Sequence, residues 1–455
     1  MIDFEKFSKY SRPGPRYTSY PTAVEFSEGF GVNEYERKLE NLPKDSELSL
    51  YVHLPFCKSA CYFCGCNVVY TSKDDKKSEY TSYLKKELEI LSKHLDTSLK
   101  VTQFHFGGGT PTFYSPSELD EIMIMVKSYF PNFATNAEIG IEVDPRYFDK
   151  EYMNVLKKHG FNRISFGIQD FETKVQEAVN RVQDFQSVKE AFALSREAGI
   201  ESINVDLIYG LPFQSRDSFI DTIKKVVDLD PDRLAVFNYA HVPWMKKTMR
   251  KIDETTLPEP KEKLKILKDT ISYLQKSGYE MIGMDHFAKP DDGLCRAQKE
   301  GRHHRNFQGY TTSGGVVMVG IGLTSIGEGK DYYVQNYKDL ESYKKAIDSS
   351  RLPAFRGIEL SSDDILRKAI IIEMMSNFRL VYKDIEDEFG IVFKEYFEKE
   401  LEGLKEFEEA GLLSMSEEKI EINDTGSMLI RNIVMPFDAY LKKLPEEKRR
   451  FSKTI

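Results

Sequence analysis

The chain has 455 residues, with 64 Lys and Arg against 73 Asp and Glu, for a formal net charge of −9. That length accommodates a large barrel and one further domain, and 40% hydrophobic content suits an ordinary globular core. The acidic balance lacks the footprint of a nucleic-acid binder, the first residues carry no apolar signal region, and no apolar run approaches the ~18 residues of a membrane helix, so a cytoplasmic protein is expected.

Residues 1–46 read as an arm and candidate lid. Its centre, Arg12-Pro-Gly-Pro-Arg16-Tyr17-Thr18-Ser19-Tyr20-Pro21-Thr22, carries three prolines and a glycine, which exclude a helix. It is either a plain surface extension or, through its arginines and tyrosines, a segment that closes over an anionic ligand.

Strand and helix patterns alternate from Leu48. Strands are expected at Leu48–His53, Val101–Phe106, Glu138–Val143, Arg163–Ile168, Ser202–Ile208 and Arg233–Asn238. Tyr80, Tyr83, Leu84, Leu88, Leu91 and Leu95 mark one helical face, and further helices are expected at Glu118–Tyr129, Val188–Ala198 and Asp217–Asp228. Repeated βα units argue for an α/β protein with a parallel sheet, and six of them suit an open, partial barrel. Residues 47–357 are assigned to this barrel and its extension. The extension holds a helix near Lys261–Ser277, the segments Met284–Ala288 and Arg302–Thr312, and the Gly320–Gly327 run, a tight turn against a ligand or ordinary strand-turn chemistry. Residues 358–455 read as a mostly helical, winged-helix-like domain: Ile365–Phe378, Tyr382–Phe389 and Tyr396–Glu409, then a strand Lys419–Ile422 and the helix-like Ser427–Ile433. Its Glu and Asp content argues against DNA binding, and with no partner surface evident a monomer is the default.

The chemistry concentrates where the first strand ends. Cys57, Cys61, Cys64 and Cys66 sit within ten residues, and the fifth cysteine, Cys295, lies far away. Thiolates spaced three and then two residues apart can wrap one compact iron–sulfur centre and leave an iron corner free for a substrate or cofactor. Structural zinc would call for two ligand pairs, disulfides for an oxidising compartment, and a Cys61–Cys64 redox pair would leave Cys57 unexplained. Cys66 is spaced awkwardly for a fourth ligand, Cys295 reads as a buried cysteine, and His53 and His286 as hydrogen-bonded core residues. In such barrels active sites gather at the C-terminal ends of strands, and the distinctive residues fall there: the cysteine loop, Gly107-Gly108-Gly109-Thr110, Glu142, Gln169, Asp206 and Tyr239-Ala240-His241. Read without context, Glu142 could be a surface ion pair, and Arg181 and Asp206 structural ones.

The Cys57-x3-Cys61-x2-Cys64 spacing resembles the signature of radical S-adenosylmethionine (SAM) enzymes. The fuller Tyr51-Val-His-Leu-Pro-Phe-Cys57 to Cys66-Asn67, with Arg16-Tyr-Thr-Ser-Tyr-Pro upstream, is similar to one branch, the oxygen-independent coproporphyrinogen III oxidases, or coproporphyrinogen dehydrogenases. The resemblance implies a partial (β/α)6 TIM-like barrel, a 4Fe–4S cluster on Cys57, Cys61 and Cys64, and two SAM molecules. Tyr51, Gly108, Glu142 and Ile326 match the residues around the cluster-bound SAM. Phe63, Gly109, Thr110, Gln169, Arg181, Asp206 and Ala240 match the second SAM site, with Cys66 a non-ligand nearby. The implied reaction forms a 5′-deoxyadenosyl radical, which takes a hydrogen beta to a propionate carboxylate. Loss of carbon dioxide and an electron leaves a vinyl group, and conversion on rings A and B of coproporphyrinogen III yields protoporphyrinogen IX in anaerobic porphyrin and haem biosynthesis. Arg12, Arg16, Arg302 and Arg305 are candidates for the propionates, with Phe307 and Tyr310 as ring contacts. A different porphyrin-modifying radical SAM enzyme, a haem chaperone on the same scaffold, and a zinc-stabilised interaction protein remain alternatives.

Overall fold

Six strands form where the alternating apolar runs lie. In the computed structural model, which describes residues 8–443 and residue 451, these are β1 (Glu47–Leu54), β2 (Lys100–Gly108), β3 (Phe133–Val143), β4 (Arg163–Gln169), β5 (Ser202–Tyr209) and β6 (Arg233–Asn238). They pair in that order, each parallel to the next. Between them run α1 (Asp74–Leu91), α2 (Pro116–Tyr129), α3 (Lys150–His159), α4 (Phe185–Glu197) and α5 (Arg216–Asp228), and α6 (Pro260–Lys276) follows β6. A helix in every crossover is what parallel neighbours require, and the result is a partial (β/α)6 TIM-like barrel.

Local chemistry sets the helix starts. Ser115 accepts from the Glu118 N–H at 3.3 Å, the Glu118 carboxylate accepts from the Ser115 N–H at 2.7 Å, and Pro116 opens α2. Asp184 accepts from the Ser187 N–H to cap α4, and Ser215 forms a capping box with Ser218 at the start of α5. Leu50, Val52, Phe104, Phe106, Ile141, Val143, Phe166 and Leu207 are buried and tie the strands to the helices.

The sheet continues on the other side of β1. There β7 (Val317–Ile321) lies parallel to β1, followed by antiparallel β8 (Ile326–Glu328), β9 (Tyr332–Asn336) and β10 (Ala354–Glu359). The Gly320–Gly327 run is thus strand, turn and strand. Its turn is latched to α1. The fully buried Glu87 accepts from the Gly322 N–H (2.8 Å), Asn336 Nδ2 (3.0 Å) and the Tyr343 hydroxyl (2.6 Å), and the Tyr80 hydroxyl accepts from the Leu323 N–H (2.8 Å) while donating to the His53 carbonyl (2.9 Å).

Contacts divide the chain into two units: residues 26–277 with 315–359, and a second built from residues up to 25, 278–314 and from 360 onward. This differs from the linear division 1–46, 47–357 and 358–455. The proline-rich stretch is a buried strap of the second unit instead of an exposed lid: Tyr10, Tyr17 and Tyr20 share a core with Ile370, Phe397, Phe407 and Ile430. Tyr10 stacks on Phe407 at 5.2 Å, the Tyr17 hydroxyl donates to Asp438 at 3.0 Å, and Arg431 donates to the carbonyls of Gly14 and Pro15. Residues 278–314 leave the expected barrel extension because they bond to α7 (Ser362–Asn377) of the same unit, through Gln298 to the Ser376 carbonyl (2.6 Å) and Asn377 to the His303 carbonyl (3.2 Å). The rest of this unit is helical around a small antiparallel sheet of Arg379–Val381, Lys419–Ile422 and Leu413–Met415. The expected helix Ser427–Ile433 is two short ones, Asp424–Ser427 and Ile430–Val434. Among the described residues no helix is long and apolar enough to cross a membrane.

Candidate active site

The end of β1 delivers the cysteine loop. Phe56–Cys57 and Val69–Tyr70 pair as a short parallel ribbon that closes the loop at its base. Its far side is tied to the segment beyond β4: the Tyr62 N–H donates to the Val179 carbonyl (2.9 Å) and Asn180 Nδ2 to the Ala60 carbonyl (2.7 Å). Cys57, Cys61 and Cys64 are partly exposed free thiols, and Cys66 is exposed.

The glycine turn after β2 packs edge-on against this loop. A Cβ on Gly109 would lie 2.7 Å from the Pro55 carbonyl oxygen, one on Gly107 2.9 Å from the Tyr51 ring, and Gly108 (φ +119°) faces the His53 ring. Thr110 Oγ1 comes within 3.3 Å of Cys57 Sγ.

A cavity of about 240 Å³ opens between these elements. Cys57, Cys61, Phe63, Cys64, Gly108, Gly109 and Thr110 line one part of it, and Glu142, Gln169, Arg181 and Asp206 another. Glu142 has 48% of its side chain exposed and is part of the cavity lining. Burial opposes its ionisation, but His105 at 3.8 Å and the Gly108 N–H at 3.3 Å outweigh it and hold the carboxyl below its ordinary value. Asp206 goes the other way: burial and the Glu142 charge push it up to about 6, despite bonds from Ser165 Oγ (3.0 Å) and Asn204 Nδ2 (2.8 Å). One cavity therefore presents a firm carboxylate and a second one that is easily protonated.

Arg181 joins the two walls. Its Nη1 donates to Asp144 (3.0 Å) and lies 3.6 Å from Cys61 Sγ, and its Nη2 donates to the Gly167 carbonyl. Its Nε and Gln169 Oε1 are buried with no hydrogen-bond partner, and Gln169 holds a left-handed φ of +71°. Asp144 is buried, yet Arg181 and Arg146 together keep it ionised below the usual range. A hydrogen bond with Cys66 brings Cys64 down to about 7, against burial and with help from Lys246 and Arg181, while burial raises Cys57 to about 12. Among the described residues no three His, Cys, Asp or Glu side chains gather to hold a single metal ion. A four-iron cluster takes one thiolate per iron and spreads its ligands more widely.

Eleven expected residues thus share this cavity, and three do not line it. Tyr51 lies beneath Gly107 with its ring stacked on His105 (6.2 Å), Ala240 follows β6 beside the Tyr239–His241 pair, and Ile326 opens β8. Arg12, Arg16, Arg302, Arg305, Phe307 and Tyr310 all belong to the other unit. There Arg305 and Tyr310 depart from the expected ring-and-propionate role. Both are buried, Arg305 stacks over Tyr310 at 4.5 Å, and the Tyr310 hydroxyl accepts from the Met284 N–H and donates to the Met375 carbonyl, so the pair is core. His53 is hydrogen-bonded to Tyr51 and the Asn67 carbonyl and kept neutral by burial, at about 4; Cys295 is buried beside the Ala288 carbonyl. The sequence places Asp144 at the end of its strand, among the distinctive residues but without a role, and the reading missed Arg146 and Ser165 as cavity residues. Ser165 was within reach of a period-two argument, since it shares a strand face with Gly167 and Gln169.

The radical SAM superfamily model matches residues 51–226, and the HemN C-terminal domain model matches residues 360–429. The chain is 57% identical to an oxygen-independent coproporphyrinogen III oxidase of Helicobacter pylori, over 100% of this chain and 99% of that protein. It is 44% identical to the one of Escherichia coli, over 100% and 98%. A solved structure of coproporphyrinogen III oxidase from Escherichia coli, described as a radical SAM enzyme, superposes with a TM-score of 0.92 at 43% identity, covering 97% of this chain and 99% of that one.

Proposed function

The chain belongs to the oxygen-independent coproporphyrinogen III oxidases of the radical SAM superfamily, and from that premise we propose how its own residues carry the reaction. The activity is oxidative decarboxylation of the ring A and B propionates of coproporphyrinogen III to vinyl groups, giving protoporphyrinogen IX in anaerobic haem biosynthesis. Its cofactors are a 4Fe–4S cluster and two molecules of SAM. When bound, they supply hydrogen-atom abstraction from the propionate.

The residues fit these groups. Three free thiols share one cavity, a guanidinium stands 3.6 Å from one of them, and Gln169 Oε1 and Arg181 Nε are buried polar atoms with no protein partner. In this reading Cys57, Cys61 and Cys64 hold three irons. The ionised Glu142 accepts from the amino group or ribose hydroxyls of the first SAM beside the Gly108 turn, with Tyr51 supporting that turn and Ile326 adding backbone. The free Arg181 Nε takes the carboxylate of the second SAM. Asp206 and Gln169 accept from its amine and hydroxyls, and Phe63, Gly109, Thr110 and Ala240 shape the pocket. Cys66 remains a thiol beside the cofactors. The clustering of free, oxidisable thiols agrees with an enzyme of the reducing cytoplasm, read as a monomer without nucleic-acid or membrane partners.

The observation that carries this reading is the meeting of the three cysteines with Glu142, Gln169, Arg181 and Asp206 in one cavity. Its test is anaerobic: the protein is reconstituted with iron and sulfide, supplied with dithionite, SAM and coproporphyrinogen III, and assayed for vinyl product and 5′-deoxyadenosine. Both are expected from the wild type and neither from Cys61→Ala. Stable haem binding without vinyl product would move the assignment to the haem chaperones.

A further inference from the structure

Among the cations expected to meet propionates, Arg12 lies 3.7 Å from Glu406, Arg16 pairs with Asp285, Arg302 with Glu300, and Arg305 is buried against Tyr310. Segments bonded to the cavity wall carry a different set. Cys66 and Val68 line the cavity, and the chain around Asn67 is held by two lysine-bearing segments. Lys246 Nζ donates to the Cys66 carbonyl at 2.8 Å, and Asn67 Nδ2 donates to the Lys338 carbonyl at 2.9 Å. Lys338 lies two residues beyond the end of β9. On β10, the half-buried Arg356 is aimed by Gln335 of β9, whose Oε1 accepts from its Nε and Nη2 at 2.9 and 2.8 Å.

None of these three cations forms an ion pair with Asp or Glu among the described residues. Asp339, next to Lys338, is spent as a helix cap on the Ser342 N–H at 2.8 Å. Burial, and then the charges of Arg356 and Lys246, weaken the hold of Lys338 on its proton, so Lys338 lies within the field of both. Like charges gathered without a carboxylate partner repel one another, and an arriving anion relieves that repulsion. The same loop carries the chain's only tryptophan, Trp244, 72% exposed, with Met245 66% exposed beside it. A bare indole next to uncompensated cations matches a ligand whose carboxylates fringe an apolar macrocycle. A large acidic protein surface would have less use for half-buried groups such as Arg356.

We propose that Lys246, Lys338 and Arg356 form a carboxylate-binding site at the cavity rim that holds propionates of coproporphyrinogen III, with Trp244 against the macrocycle. The site rests on the oxidase reading and specifies how that substrate is oriented. The nonreacting propionates are held at the rim while a reacting one enters the cavity.

The test titrates coproporphyrin III, the stable oxidised form of the substrate, into reconstituted holoenzyme. Quenching of Trp244 fluorescence reads binding, and the KM for coproporphyrinogen III is measured in parallel. Lys338→Gln and Arg356→Gln are each expected to weaken coproporphyrin binding and raise KM about tenfold, while kcat stays within about twofold. Lys338→Arg retains binding, and iron content and circular dichroism match the wild type throughout. Unchanged binding in both Gln variants overturns the site. So does a defect confined to electron delivery from an acidic protein donor, with coproporphyrin binding and dithionite-driven turnover intact. Failure of the wild type to convert coproporphyrinogen III strikes the oxidase reading instead, and coproporphyrin binding by the variants still decides the rim.

Discussion

Arg181 shows how one side chain serves both structure and chemistry. The sequence offers it as either half of an ion pair or a cofactor ligand. Its Nη1 bonds to the buried Asp144 while its Nε, also buried, has no partner. With side-chain exposures of 9% and 5% this pair is dry, and removing Arg181 leaves Asp144 buried with Arg146 as its one remaining cation. Arg181→Met is expected to cost about 2 kcal/mol in a denaturant titration, since a charged hydrogen bond is lost while Arg146 still balances Asp144. Arg181→Lys, which keeps the charge but loses the planar fork, is expected to reduce bound SAM from two molecules per chain to one, measured by equilibrium dialysis. Glu87 makes a pH prediction. Burial raises its carboxyl from an ordinary 4.5 to about 7, so the folded chain keeps a proton that the unfolded chain has released. Stability therefore falls as pH rises from about 4.5 through 7, and levels off above that. The swing is roughly 3 kcal/mol, and Glu87→Gln is expected to remove it when denaturation midpoints at pH 5 and pH 8 are compared. The bonding partners of Asp144 and Glu87 were not recoverable from the sequence, because these contacts join residues 37 and 235 positions apart.

The elements themselves were largely legible. All six barrel strands lie where apolar alternation put them, because a half-buried strand must present every second residue to the core. What the pattern could not supply is how two elements lock. The turn from β7 to β8 is held to α1 through Tyr80 and Glu87, seven residues apart and so on one face of that helix. Gly322 makes the fit possible: at φ +95°, a Cβ there would lie 2.4 Å from the Tyr80 hydroxyl and 2.9 Å from the His53 carbonyl oxygen. Gly322→Ala is expected to cost roughly 3 kcal/mol, strain and clash together. Gly199→Ala has a similar φ of +86° but open space around its Cβ, so it should cost only about 1 kcal/mol. Equal losses in the two variants, by thermal or denaturant unfolding, would count against the latch.

On the scale of the whole molecule, the linear reading was least successful. Prolines and tyrosines at residues 12–21 announce a stiff segment, but stiffness does not say whether a strap is exposed or buried. The net charge of −9 likewise says nothing of a rim where three cations stand together. The strap's tyrosines are fully part of a core built mainly from residues beyond 366. Deleting residues 1–20 is expected to lower the unfolding midpoint by more than 10 °C and to raise binding of a hydrophobic dye, since Phe407 and Ile430 lose their cover. The strap also sets an order of events at the ribosome. The barrel unit is complete once residue 359 has emerged, but Tyr17 must wait for Asp438, 421 residues later in synthesis. Until translation ends, the first tyrosines of the chain remain without their core, and a nascent polypeptide stalled late is the form most in need of a chaperone.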